Sequence, residues 1–212
     1  MAFSGDFESG HDNVDSIEKL VALIEMCTEI EIGISPCKLG SGDSSVAILP
    51  LFSWYRDDFI RSPGQPLSCQ EAYFDAACKW PSAVGDPDFP RNSHHPGIAD
   101  FFLKLNDLAF EWLSEHDPVA SVSFSHFLPL PELYWGTCNL QAVMGDLKLG
   151  RQVERIRSAV HVFGHSHLNT DRVVGKTRYL QNALGYPDSH CTKRISIQRI
   201  WPADSNDESC PS

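Results

Sequence analysis

The run Ala159-Val160-His161-Val162-Phe163 stops at Gly164 and is followed by His165-Ser166-His167. An apolar, β-branched run of this length, closed by glycine, reads as a buried strand that ends at a loop. In an α/β sheet the loop at the carboxyl end of a strand is where ligands bind. Gly164 has no Cβ, which permits a sharp turn or close approach of the backbone to a ligand. His165 and His167 then sit on that loop with imidazole nitrogens available to a metal. The plain alternative is two surface histidines on a turn.

The pattern recurs earlier. Val119-Ala120-Ser121-Val122-Ser123-Phe124 reads as a strand that ends at Ser125-His126-Phe127, again with a histidine at its carboxyl end. Ser45 to Phe52 is another buried strand, followed by the aromatic and charged stretch Ser53 to Phe59, which reads equally as a lined pocket or a packed loop. Helical periodicity separates these runs. Asp15-Ser16-Ile17-Glu18 opens a helix over about 15–30, closed by Gly33 and Pro36, with Ile32 and Ile34 starting a short strand. Ile98 to His116 forms one amphipathic helix, broken at Asp117-Pro118, and Leu147 to Ser158 forms another. Residues 60–98 are an irregular insertion with a short helix over 70–78, and its His94-His95 pair reads as exposed. Tyr134 to Gly145 is irregular, Arg172 to Leu180 is a hairpin turning near Gly175-Lys176, and Arg194 to Trp201 is a final strand. There is no internal repeat.

At 212 residues the chain fits one domain, over 1–201, with a disordered acidic tail over 202–212. Seventeen basic against 28 acidic side chains give a net charge of -11, which argues against general nucleic-acid binding. No apolar run approaches the roughly 18 residues a membrane span needs, and no secretory signal opens the sequence. Seven cysteines at irregular spacing, without a Cys-x-x-Cys pair, point to thiols in a reducing compartment. A cytoplasmic protein is the expectation.

Gly164-His165-Ser166-His167, preceded by an apolar strand and by His126 on an earlier one, resembles the calcineurin-like metallophosphoesterases. The ordered segments Asp15 to Leu20, Leu49 to Tyr55, Cys78-Lys79-Trp80-Pro81, Ser123 to Phe127 and Gln181 to Pro187 extend the likeness over about residues 10–201. The resemblance implies an α/β fold, an α/β/β/α sandwich of two facing sheets flanked by helices, here incomplete at the N-terminus. It implies two divalent ions (Mn, Fe or Zn), with His126 and His165 on one and His167 on the other. His11, in Gly10-His11-Asp12, stands where the resemblance puts a general acid. The implied activity is hydrolysis of a phosphomonoester or phosphodiester substrate by a metal-activated water.

The departures lie upstream. The family opens with Asp-x-His, Gly-Asp and Gly-Asn-His-Asp/Glu segments, and none is intact ahead of the first helix. The aspartate that bridges the two ions therefore has no counterpart. Two expectations follow: an N-terminally shortened phosphatase, or an inactive relative that works as a binding or scaffold module through Trp54, Tyr55 and Trp80.

Overall fold

The computed structural model describes residues 14–56, 59, 78–80, 96–184 and 197–200. The first helix, α1 (Ser16–Glu29), starts where the sequence predicts. The Asp15 carboxylate accepts from the backbone N–H of Ile17 and Glu18 at 2.8 and 2.9 Å, while the Asp15 N–H donates to Glu18 Oε2 at 2.9 Å. This reciprocal box satisfies donors that a helix start leaves open. Asp15→Ala is expected to lower stability by about 1 kcal/mol, measured by urea denaturation. An unchanged midpoint would mean that α1, which buries only Cys27, frays independently of the sheet.

Four strands run parallel: β2 (Val46–Pro50), β3 (Ala120–Phe124), β4 (Val160–Val162) and β6 (Thr177–Gln181). Two more, β1 (Cys37–Leu39) and β5 (Thr170–Val174), pair antiparallel at the edges. Among the described residues the sheet thus has six strands, in the order β1-β2-β3-β4-β6-β5, and the fold is mixed α/β. Among the described residues three helices follow α1: α2 (Pro96–Leu105), α3 (Asp107–Glu115) and α4 (Leu147–Ile156).

Parallel strands are buried on both faces, so alternate residues belong to two different cores. Ala47, Leu49 and Tyr179 share the main core with Leu149, Val153 and Ile156 of α4. Val46, Val122 and Val160 form a smaller cluster, joined by the partly buried Ile48, Val162 and Ile200. That second cluster borders a groove of about 450 Å³ lined by Leu39, Val46, Ile48, Val122, Arg199 and Ile200.

Several expectations shift. The helix predicted over Ile98 to His116 is two helices, interrupted at Asn106. The buried Asn106 side chain accepts from Phe52 N–H at 2.7 Å and donates to Phe52 O and Gln152 Oε1 at 2.9 and 2.7 Å. A side chain that caps another segment's backbone competes with continuous helix. The strand expected at Ile32 and Ile34 is displaced to Cys37–Leu39, because the chain first reverses through Glu31 at φ 59°. α4 stops at Ile156, two residues short of the prediction, with Arg157 left-handed at its C-cap. The stretch Tyr134 to Gly145, expected to be irregular, holds a 3₁₀ turn at Cys138–Val143, and another precedes it at Pro131–Leu133. Residues 197–200 carry no strand, contrary to expectation. The hairpin turns at Gly175, φ 62°, and Lys176 as predicted. Of the helix expected over 70–78 only Cys78 is among the described residues, and it is not helical; the His94-His95 pair and the tail over 202–212 lie outside them. No helix among the described residues is long and apolar enough to cross a membrane.

Candidate metal centre

Parallel pairing carries both histidine loops to one edge of the sheet. Phe124 opposes Val162, and the ladder continues past both strands: Ser125 N–H donates to Val162 O, and Gly164 N–H donates to His126 O, each at 3.0 Å. His126 and His165 leave this shared ladder at the same end. Their rings meet, with His126 Nε2 3.1 Å from His165 Nδ1 and the ring centroids 5.0 Å apart.

The far side of His165 is held as well. Its Nε2 lies 3.0 Å from Val143 O, so that nitrogen carries the proton and donates. The lone pair is thereby left on Nδ1, aimed at His126. A backbone carbonyl on the distal ring nitrogen is the usual support of a metal-ligating histidine. Two nitrogens each about 2.1 Å from one ion and at right angles to each other lie roughly 3 Å apart, so the 3.1 Å separation suits a shared cation. Without one, His126 Nε2–H donates to His165 Nδ1.

Burial, reinforced by the neighbouring imidazoles, pushes the His126 pKa down to about 3. Burial likewise lowers His165 to about 4, against the opposing pull of its bond to Val143 O. Both rings are therefore neutral near pH 7, the state in which imidazole binds metal. His167 is exposed on the same loop, near enough for its charge to disfavour protonation of both.

The turn is not made by Gly164, as the sequence suggested. A Cβ there would lie 3.5 Å from His126 Nδ1 and from its carbonyl oxygen, an ordinary contact. The positive φ angles belong to His165 at 68° and His167 at 56°. Histidine, with asparagine and aspartate, is among the few side chains that tolerate this region.

The nitrogen edge of a metal site fits these residues; a complete two-metal centre does not. Among the described residues no group of three or more His, Cys, Asp or Glu side chains is arranged to hold a cation. His11 lies outside the described residues. The groove on the other cluster of the sheet is not lined by any of the candidate histidines.

Two features escaped the sequence reading. His161 on β4 is fully buried and bonded on both ring nitrogens, to Ser123 Oγ at 2.7 Å and Ser125 Oγ at 3.1 Å. A histidine inside an apolar strand, opposite the serines of Ser121-Val122-Ser123, was the signal available. Arg56 bridges Asp146 and Asp100 at 3.4 and 2.7 Å, and Lys148 meets the same Asp100 oxygen at 2.7 Å. Asp146 also caps α4, accepting from Lys148 N–H at 2.7 Å, and burial raises its pKa despite Arg56. The stretch after β2 is a packed loop: Trp54 lies 5.1 to 5.7 Å, centroid to centroid, from Tyr55, Trp80, Phe102 and Phe127.

No family model matches the chain, and no curated protein matches it. A solved structure is similar with a TM-score of 0.41 and 12% identity, over 79% of this chain and 52% of that one. The chain thus spans about half the length of that protein, and a likeness at this level carries no argument about function.

Proposed function

We propose that the chain carries the histidine half of a divalent-metal phosphoesterase centre, on an α/β/β/α sandwich of the calcineurin-like kind. The observation that carries this reading is the His126–His165 pair. Two neutral imidazoles meet at 3.1 Å at the carboxyl end of adjacent parallel strands, one of them braced by Val143 O. His167 supplies a third nitrogen on the same loop, and a site for two ions (Mn, Fe or Zn) would need carboxylates besides these three histidines. Bound there, such ions would draw charge from a phosphate oxygen and acidify water. The protein's own part is to keep His126 and His165 neutral and fixed. The substrate is a phosphoester. His11 is the general acid in this reading. The alternative, a binding module built on Trp54, Tyr55 and Trp80, gains no support from a cluster whose rings pack on one another.

Cobalt titration, followed by its visible absorption, tests the site. The wild-type chain is expected to bind, and His165→Ala to bind at least about tenfold more weakly. Absence of binding by the wild-type chain at millimolar metal would sink the proposal. Hydrolysis of an aryl phosphate with manganese tests the activity; a rate no higher than that of His165→Ala would remove hydrolysis from this chain.

A further inference from the structure

A line of side chains runs under the sheet edge toward the histidine pair. Ser158 Oγ lies 2.6 Å from Ser123 Oγ, which lies 2.7 Å from His161 Nδ1. His161 Nε2 lies 3.1 Å from Ser125 Oγ, which donates to Phe127 O at 2.9 Å. Ser123, Ser158 and His161 are each at most 1% exposed, so no substrate reaches them and Ser123 is not a nucleophile.

The direction of the line follows from counting donors. Ser125 spends its proton on Phe127 O, so it must accept from His161, whose proton is then on Nε2. His161 Nδ1 accepts from Ser123, and Ser123 accepts from Ser158. Every hydroxyl proton then has an acceptor. The reverse direction takes the proton from Phe127 O and leaves the Ser158 hydroxyl proton without an acceptor among the described residues. Buried polar groups that are fully paired in one arrangement fix a conformation more sharply than apolar packing does.

What this line fixes is the turn that carries His126. Ser125 and Phe127 flank that residue, and both ends of the turn are tied: Ser125 Oγ to β4 through His161, and Phe127 N–H to Ser53 Oγ at 3.2 Å. We infer that His161 is a positioning residue for the His126–His165 pair, acting through Ser125 to hold His126 Nε2 opposite His165 Nδ1. The metal role of that pair rests on the function proposed above, whereas the positioning does not.

The test separates the two. Long-range ¹⁵N–¹H correlation of the imidazoles in the metal-free protein at pH 7 reports which nitrogen of each ring carries the proton. The wild-type chain is expected to show His161 and His165 as fixed Nε2–H tautomers. In Ser125→Ala, which cuts the line at its partly buried end, the His126 and His165 signals should move toward the averaged values of a free imidazole. His161→Leu should do the same, and His161→Gln, whose amide offers both a donor and an acceptor, should restore the wild-type pattern. Cobalt affinity should fall about tenfold or more in Ser125→Ala and His161→Leu. Folded Ser125→Ala with unchanged His126 and His165 signals overturns the inference, even if His161→Leu fails to fold. A wild-type protein with fixed tautomers but no cobalt binding sinks the proposed function and leaves the positioning role standing.

Discussion

Replacing Gly145 by alanine is expected to lower stability by about 3 kcal/mol, at the upper end for overpacking. A Cβ at this position would lie 2.0 Å from Leu128 O and 2.7 Å from the Phe59 ring. The first of these is backbone, and it is pinned: Leu128 N–H donates to Met144 O at 3.0 Å, and Leu128 O accepts from Asp146 N–H at 3.1 Å. The two segments can part only by breaking that ladder. The effect should reach the histidines, because one segment continues back to His126 and the other to Val143, whose carbonyl braces His165. Urea denaturation measures the loss. Gly33→Ala, where an added Cβ meets nothing within 4 Å, is the control and should stay within about 0.5 kcal/mol. A loss at Gly145 no larger than the control would show that the two segments yield to each other.

Acid should destabilise the protein well above the ordinary carboxylate range. His161 titrates near 6.5 in the unfolded chain, whereas burial holds it down to about 3 in the folded one. A depressed folded pKa means that the unfolded state gains the proton first. The contribution is therefore intact above pH 6.5 and is lost as the pH falls toward 3. At about 1.36 kcal/mol per pH unit, this one ring removes roughly 2 kcal/mol at pH 5 and roughly 3.4 at pH 4. His126 and His165 act in the same direction, and Asp146, whose pKa burial raises, opposes them in the more acid part of the range. In His161→Gln the slope of stability against pH between 4 and 6 should drop by one proton. Denaturation curves across that range that keep the wild-type slope would refute the assignment.

The strands and the first helix were legible because they depend on short-range pattern. Short apolar runs mark β2, β3 and β4, and Asp15 with Glu18 marks the start of α1. His126 and His165 were legible as a pair for the same reason, each standing just beyond such a run. What stayed hidden depends on partners remote in sequence. Asn106 divides a helix because Phe52, 54 residues away, takes its amide. Val143 braces His165 from a stretch with no periodicity to read. Gly164 was read by residue type as permitting a sharp turn or a close approach, yet the left-handed backbone is taken by the histidines themselves. The Asp-x-His, Gly-Asp and Gly-Asn-His-Asp/Glu segments were the reverse case: that none stands intact upstream of α1 is a plain sequence fact, and among the described residues no group of three or more His, Cys, Asp or Glu side chains is arranged to hold a cation.

The left-handed backbone at His165 and His167 has a consequence for how such a loop tolerates change. Glycine adopts that conformation freely; asparagine, aspartate and histidine adopt it with little penalty, and β-branched or bulky residues do not. Three of those four are also the side chains that ligate cations. Chain geometry alone therefore filters positions 165 and 167 toward an alphabet rich in side chains able to ligate a cation. A variant library sorted only for folding would already be enriched in metal-binding side chains at both positions.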